Sequence, residues 1–162
     1  MIFRYDSFFM FRNGVYTRLQ CYFCGSKMET MTLKDKRILL TGATSGIGRD
    51  LAIMLAEQGA HLALCGRSED KMQTLINDLS IDGGKIVTDT FSVTNEQHII
   101  HFVAKASLEM GGIDIVINNA GLNSARANVA DILTDDFDHM VAVNLRAPFI
   151  FMREAYKAMQ PQ

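Results

Sequence analysis

The stretch LLTGATSGIGRDLA, residues 39–52, sets the fold of this chain. An apolar run breaks at three glycines spaced G-x-x-x-G-x-G (Gly42, Gly46 and Gly48) and then resumes with the apolar pattern of a helix. Glycine permits a tight turn, lets backbone N–H groups approach a pyrophosphate, and allows a helix to pack closely on a strand. The amino end of a helix also presents N–H donors and partial positive charge to an anion. The stretch therefore predicts a strand, an anion-binding turn and a helix.

The same strand–helix alternation continues along the chain. Short apolar runs predict four strands, at Arg37–Thr41, 60–65, 85–91 and 113–117, and each is followed by a segment with helical periodicity. This order gives right-handed crossovers and a parallel sheet with helices on both faces. We therefore predict an α/β fold, a Rossmann-like doubly wound sheet. Its ligand should lie beyond the carboxyl ends of the strands, beside the first one.

The helical segments carry local signals for their buried faces and their first residues. In the first helix, one apolar stripe is predicted to be buried: Ile47, Leu51, Met54 and Leu55. The later helices are predicted to begin at capping residues: Ser68, Thr94 with Gln97 at capping-box spacing, and Thr134. The acidic residues after Thr134 fit the first turn of a helix better than a metal cluster.

Composition excludes several classes of function. A chain of 162 residues with 48% hydrophobic and 21% charged residues suits one globular domain. Its net charge of −2 gives no general attraction to nucleic acid or to an anionic membrane. The four histidines lack the spacing of a metal site, so no metal is expected. Three cysteines do not make a disulfide framework, which favours a reducing compartment, the cytoplasm.

The first 30 residues differ from the rest. Eight of the 14 aromatic residues (10 Phe and 4 Tyr) fall within residues 1–23, without helical or strand periodicity. Charged residues interrupt any signal-peptide core. Cys21 and Cys24 form an isolated C-x-x-C pair with no second ligand pair at zinc spacing. We expect residues 1–30 to be an ill-ordered extension or a misplaced start, and residues 31–162 to form the nucleotide-binding domain.

The end of the second strand bears on the choice of nucleotide. Folds that prefer NAD place an acidic residue there, about 20 residues after the glycines, to bind the ribose 2′-hydroxyl. This chain has Arg67 there, 19 residues after Gly48. A guanidinium can bind a 2′-phosphate through two hydrogen bonds, which favours NADP. The alternatives are a solvated arginine and a pair with Glu69 or Asp70.

Three motifs together make the chain resemble the short-chain dehydrogenase/reductase family. They are TGATSGIG (41–48), NNAG (118–121) and VNL (143–145), and the resemblance runs from about residue 33 to the end. It implies an NAD(P)-dependent oxidoreductase that transfers hydride between the cofactor and a small carbonyl or alcohol substrate. Family members are usually homo-oligomers.

The resemblance also implies roles for individual residues. The turn would hold the cofactor's ribose and pyrophosphate through the backbone of Gly42, Ser45, Gly46 and Ile47. The residues after the fourth strand would join it to the first strand (Asn119) and line the adenosine ribose (Ala120 and Gly121).

In the following helix, Val143 would lie near the nicotinamide ribose. Asn144 would bend the helix and hold a water in the proton relay of the family's Asn–Ser–Tyr–Lys tetrad. The alternative for Asn144 is a polar side chain that bonds locally within its helix.

The chain departs from the family pattern in two respects. After the third strand it has Ser92-Val93 where the family usually has Asp-Val, and a neutral, shorter serine predicts weaker binding of the adenine. The family's catalytic Ser and Tyr-x-x-x-Lys lie downstream of Asn144, and Tyr156 is followed at the fourth position by Gln160. Without that Tyr and Lys no general acid protonates the carbonyl oxygen. We expect a cofactor-binding half that lacks full activity; the alternative is a non-catalytic dinucleotide-binding module or an inactive fragment.

A sheet truncated after about four strands has a further consequence. The strand at 113–117 would be an exposed apolar edge, which is an aggregation hazard. The helix that carries Leu145, Phe149, Ile150 and Phe151 would also lack a packing neighbour, and a family-type dimer would be incomplete. We therefore expect the chain to be marginally stable.

Overall fold

One five-stranded sheet organises the computed structural model, which describes residues 9–11, 33–80, 83–123 and 128–160. The strands lie in the order β1-β5-β2-β3-β4. Their bounds are Phe9–Phe11 (β1), Arg37–Thr41 (β2), His61–Gly66 (β3), Ile86–Thr90 (β4) and Ile115–Ile117 (β5). Strands β2 to β5 pair in parallel, whereas β1 pairs with β5 in antiparallel orientation. The predicted parallel α/β sheet is confirmed.

Helices cover both faces of the sheet. They are α1 (Gly46–Glu57), α2 (Glu69–Asp78), α3 (Glu96–Met110), α4 (Thr134–Val141) and α5 (Ala147–Met159), with a π-helical turn, Ala142–Arg146, between the last two. None of these described helices is long and apolar enough to cross a membrane.

The two faces of β2 explain its unbroken apolar sequence. Leu39 packs in the core beneath α3 and α5, and Leu40 packs in the core beneath α1 and α2. Both side chains are fully buried. Successive residues of a strand point to opposite faces, so a sheet covered on both sides requires an apolar residue at every position.

The predicted buried stripe of α1 is wrong at two positions. Ile47 is 74% exposed and Met54 is 52% exposed, whereas the buried residues of α1 are Gly48, Ala52, Leu55 and Ala56. Gly48 is the position that meets the backbone of the glycine turn. Because only small residues allow that close approach, contact with the turn sets the buried face, and the large apolar side chain of Ile47 turns outward.

Of the predicted capping residues, Ser68 is confirmed and Thr134 is wrong. Ser68 caps α2 as predicted, since its Oγ accepts from the backbone N–H of Lys71 at 3.4 Å. Thr134 does not cap α4; it is the first helical residue, preceded by Leu133, and that end has no side-chain capping bond.

The start of α3 lies one residue later than predicted. Asn95 is the N-cap, with its Oδ1 accepting from the N–H of His98 at 3.2 Å. Thr94 instead places its hydroxyl 2.8 Å from the Oγ of Ser92. The nearby serine gives Thr94 a local partner, and an asparagine side chain reaches the helical N–H group equally well.

The apolar edge of β5 is covered, so the expectation of an exposed edge is wrong. Phe9–Phe11 pairs with it in the register Phe9↔Ile117 and Phe11↔Ile115. Within residues 1–30 the structure describes this strand alone, and Cys21 and Cys24 lie outside the described residues.

An ion pair fastens β2 to the segment entering β5, at the end of the sheet opposite the carboxyl ends. The guanidinium of Arg37 donates to Asp114 through Nε at 2.9 Å and Nη2 at 2.7 Å, and the Arg37 backbone N–H donates to the same carboxylate at 2.9 Å. The hydrogen bond from Arg37 holds the pKa of Asp114 below its usual value.

Replacing Asp114 with Asn is expected to lower the free energy of unfolding by about 1–3 kcal/mol at neutral pH, because Arg37 loses an ionised acceptor. A depressed folded-state pKa gives stabilisation that is present above the unfolded-state pKa, about 3.9, and is lost as pH falls through the folded-state value. Urea denaturation of wild type and D114N should therefore differ fully at pH 5–8 and converge below about pH 4.

Asp78 provides the control. Its carboxylate accepts from Arg49 in a more exposed pair, so D78N should change the unfolding free energy by less than about 1 kcal/mol. Equal losses in the two variants, or a D114N deficit that grows as pH falls, would contradict the assigned role of Asp114.

Candidate functional site

A cleft of about 290 Å³ opens at the carboxyl ends of the parallel strands. It is bounded by the segments that follow β2, β3, β4 and β5 and by one side of α4 and the π turn. Its lining comprises Gly42, Thr44, Ser45, Ile47, Gly48, Gly66, Arg67, Phe91, Ser92, Val93, Asn119, Ala120, Gly121, Leu122, His139 and Val143. All of the predicted cofactor-binding residues except Gly46 belong to this lining, and Asn144 lies beside it.

The glycine turn after β2 depends on backbone conformations that favour glycine. Gly42 has φ 67° and Gly46 has φ 52°. A Cβ at Gly42 would also lie 2.8 Å from the Cα of Ala120. Both the left-handed conformation and the contact with the segment after β5 therefore require glycine at position 42.

Gly48 brings α1 against the same turn. A Cβ there would lie 2.2 Å from the carbonyl oxygen of Gly42 and 2.3 Å from the Nδ2 of Asn119. Neither neighbour can move without breaking the turn, because both belong to one hydrogen-bonded junction. The amino end of α1 is thus held directly beside the cleft.

That end of α1 has no side-chain cap. Ser45 occupies the N-cap position in extended conformation, with φ −160° and ψ 158°, and makes no capping hydrogen bond. The first turn of α1 contains no acidic residue. The first N–H groups of a helix have no partner within it, and the helix dipole makes this end positive. The 12-residue helix therefore presents donors and positive potential to the cleft.

Thr41 is the buried polar residue that holds the two central strands together at this end. It is 1% exposed, and its Oγ1 accepts from the backbone N–H groups of Asn119 and Ala120, each at 3.0 Å. The hydroxyl also lies 3.5 Å from the carbonyl oxygen of Ile117. The sequence analysis missed this role, although a single hydroxyl at the end of an apolar strand was a usable signal.

Asn119 completes the junction from the other side. Its Nδ2 donates to the carbonyl oxygens of Thr41 and Gly42, both at 3.2 Å. The ladder between β2 and β5 ends at Leu40↔Ile117, so these side-chain bonds continue the connection past the last paired residues. The segment after β5 is thereby fixed above the glycine turn.

Asn144 anchors the same segment to the π turn. Its Oδ1 accepts from the N–H of Leu122 at 2.8 Å, and its Nδ2 donates to the carbonyl oxygen of Leu122 at 2.7 Å. The alternative of local bonding within the helix is therefore wrong, because the partner lies 22 residues away. π turns inside α-helices are frequent at functional sites.

Arg67 and Ser92, the two residues on which the expectations about the nucleotide rest, lie at the mouth of the cleft. Arg67 is exposed, and across residues 33–80 no ion pair joins it to Glu69 or Asp70. Ser92 belongs to the cleft lining, and its Oγ lies 2.8 Å from the Oγ1 of Thr94. These side chains surround the opening without taking part in the core.

His139 lines the cleft one helical turn before Val143, and the sequence analysis did not assign it there. The sequence pattern indicates no role for His139 beyond a possible metal ligand. Residues four apart share one face of a helix, so the predicted place of Val143 was a signal for its position.

Comparison with known proteins gives consistent matches over most of the chain. Residues 36–162 match the family described as short chain dehydrogenase. An uncharacterized oxidoreductase of Staphylococcus aureus (strain MW2) is 38% identical over 131 residues, covering 80% of this chain and 55% of that protein. A 3beta-hydroxysteroid dehydrogenase of Mediterraneibacter gnavus is 35% identical over 127 residues, covering 78% and 46%. The chain spans about half the length of the curated relatives it matches.

Solved structures show the same relationship. A short-chain dehydrogenase/reductase from Serratia marcescens is 29% identical with a TM-score of 0.74, covering 79% of this chain and 52% of that one. A short chain dehydrogenase from Burkholderia cenocepacia, solved in complex with NADP, is 29% identical with a TM-score of 0.73, covering 78% and 52%.

Replacing Thr41 with Val keeps the shape of the side chain and removes the acceptor for two buried N–H groups. We expect T41V to lower the free energy of unfolding by about 2–4 kcal/mol, since each unsatisfied group costs about 1–3 kcal/mol. T41S keeps the hydroxyl and loses one methyl group, so it should cost about 1 kcal/mol. Urea denaturation followed by circular dichroism measures both; a T41S loss as large as that of T41V would assign the effect to methyl packing.

Proposed function

The chain belongs to the short-chain dehydrogenase/reductase family, a family of oxidoreductases, and we propose that its cleft binds a nicotinamide dinucleotide. In this proposal hydride passes between NADP(H) and a small carbonyl or alcohol substrate. The observation that carries the proposal is the uncapped amino end of α1, held beside a cleft at the carboxyl ends of parallel strands. Phosphate groups bind at such helix ends in dinucleotide folds.

The residues present fit a dinucleotide. At Gly42 and Gly48 a Cβ would meet the atoms that form the turn, so the turn keeps a backbone surface with no side chain over it. The pyrophosphate and adjoining ribose would lie against the backbone of Gly42, Ser45, Gly46 and Ile47. The exposed side chain of Ile47 supports this place, because a large apolar group at a cleft mouth can cover a bound ligand.

The remaining lining would hold the rest of the dinucleotide. Ser92 and Val93 would contact the adenine, Ala120 and Gly121 the adenosine ribose, and Val143 the nicotinamide ribose. The dinucleotide, when bound, supplies or accepts the hydride. The chain's part is to orient it and to shield it from water.

Arg67 supports the choice of NADP over NAD. The guanidinium stands at the mouth of the cleft with no acidic partner among its near neighbours in the chain, so it is available for a phosphate. A carboxylate at this place would instead repel the 2′-phosphate.

Asn144 would position the water of the proton relay. Both polar atoms of its side chain bind the backbone of Leu122. We therefore propose that the backbone of the π turn, and not the Asn144 side chain, would bind this water. Tyr156, 52% exposed on α5, has Gln160 at the fourth position after it. A lysine that lowers a tyrosine pKa is thus not present at that spacing, and Tyr156 is not proposed as the general acid.

Because no general acid is assigned among the described residues, we propose as a second candidate for this part of the chain a dinucleotide-binding module without turnover of its own. For either candidate we propose a reducing compartment, the cytoplasm. The buried free thiol of Cys65 supports this proposal. Exposed apolar side chains on α4, the π turn and α5 (Phe137, Leu145 and Phe149) offer a surface for self-association, and we expect any dimer of the family type to be incomplete in this chain.

Two measurements on the purified chain test the function. Titration with NADPH, followed by cofactor fluorescence, reports binding; NADPH oxidation with a panel of small ketones and aldehydes reports turnover. Binding with turnover supports the oxidoreductase, and binding without turnover supports the module. Absence of nucleotide binding in a folded chain would overturn both.

Replacing Arg67 with Gln is expected to weaken NADP⁺ binding by about 10- to 100-fold and to leave NAD⁺ binding nearly unchanged. The reason is the loss of charged hydrogen bonds to the 2′-phosphate, worth about 1.5–3 kcal/mol. Isothermal titration of both nucleotides measures the difference.

Lys71 supplies the matched control. It is a cation on α2 outside the cleft lining, so K71Q should leave both affinities unchanged. If R67Q weakens NAD⁺ and NADP⁺ equally, Arg67 does not select the 2′-phosphate.

A further inference from the structure

We propose that His139 is a binding residue for the adenine of the dinucleotide, and that its imidazole ring packs against the face of the purine. This contact rests on the proposed binding of a dinucleotide and adds to it a residue of α4, on the side of the cleft across from Arg67 and the glycine turn.

The position of His139 follows from the face of the helix that it shares with Val143. Val143 is 9% exposed and belongs to the core cluster that contains Phe91 and Val93, the residues on either side of Ser92. Residues four apart lie on one face of a helix, so the exposed side chain of His139 lies one turn away on the face that meets this segment. All five residues line the cleft. His139 therefore borders the part of the cleft proposed for the adenine.

The imidazole of His139 has no partner among the residues that the structure describes. Within residues 33–80, 83–123 and 128–160, no ion pair or side-chain hydrogen bond reaches its ring. Two other histidines have structural partners. The Nδ1 of His61 accepts from the backbone N–H of Lys85 at 2.8 Å, and the ring of His98 meets that of Phe91 with 5.8 Å between centroids. The ring of His139 is instead available to a ligand in the cleft.

The charge of α4 favours an uncharged group of the ligand at this place. His139 is the basic residue of a helix that also carries three exposed acidic residues, Asp135, Asp136 and Asp138. A phosphate next to His139 would therefore meet net negative charge, which repels it. The adenine is neutral and planar, and aromatic side chains, histidine among them, bind bases by stacking on their faces.

A ring contact also offsets the departure from the family pattern at Ser92. Serine is neutral and shorter than aspartate, so its hydrogen bond to the adenine is the weaker one. Stacking of a base on an aromatic side chain contributes about 1–3 kcal/mol. His139 thus supplies from α4 an affinity for the adenine that the segment after β4 lacks.

Isothermal titration of full-length variants with NAD⁺ and NADP⁺ tests the contact. H139A removes the ring, and we expect it to weaken both nucleotides about tenfold, because both contain the adenine. H139F keeps an aromatic ring and should stay within about threefold of wild type. H101A is the matched control, since His101 is an exposed histidine of α3 outside the cleft lining, and it should leave both affinities unchanged.

Proton NMR of the wild-type chain observes the ring itself. Adenosine 5′-monophosphate should move one imidazole C–H signal upfield, because the ring current of the purine shields protons that lie over its face. Ribose 5-phosphate lacks the purine and should leave that signal in place. The signal is assigned to His139 by its absence from the spectrum of H139F.

Three results would overturn the contact and leave the proposed function standing. H139A could bind as tightly as H101A, or H139F could bind as weakly as H139A. A loss confined to NADP⁺, or a shift caused by ribose 5-phosphate, would place a phosphate at His139 instead of the adenine. If the folded wild-type chain binds neither nucleotide, the proposed function and the contact both fail.

Circular dichroism checks that each variant is folded. If H139A does not fold, the titrations of the wild-type chain with adenosine 5′-monophosphate and ribose 5-phosphate still decide whether the ring meets the purine.

Discussion

The contact between Thr41 and Asn119 is the interaction on which the cleft depends. The ladder between the two central strands ends one residue before Thr41, and its hydroxyl then takes over by accepting the N–H groups of Asn119 and Ala120. Asn119 returns its amide to the carbonyl groups of the turn. These hydrogen bonds hold the segments that follow β2 and β5 next to each other, and the two segments form the floor of the cleft.

Two glycines and the side-chain amide of Asn144 hold the neighbouring segments against this junction. Gly42 and Gly48 allow the turn and α1 to approach the segment after β5, and Asn144 holds that segment from the opposite side through Leu122. The floor is consequently rigid, while Arg67 and His139 stand exposed at the mouth.

Ion pairs with Glu96 hold the π turn and α5 against α3. Glu96, in the first turn of α3, accepts from Arg146 and Arg153, which lie on either side of the start of α5. The hydrogen bonds from Arg153 and Arg146 hold the pKa of Glu96 below its usual value. Asn144 is thus placed between its hydrogen bonds to the Leu122 backbone and the ion pairs of Glu96 on α3.

Sequence by itself determined the strand–helix order, the parallel sheet, the glycine turn and the Ser68 cap, because periodicity, left-handed glycines and capping act over a few neighbouring residues. Tertiary structure decided which face of α1 is buried, since Gly48 must meet the Gly42 carbonyl and Ile47 then turns outward. It also decided the partner of Asn144 and the strand that covers β5, at Leu122 and Phe9–Phe11. Those choices join residues far apart in the chain, and no local pattern specifies which distant backbone group a side chain or an open edge will meet.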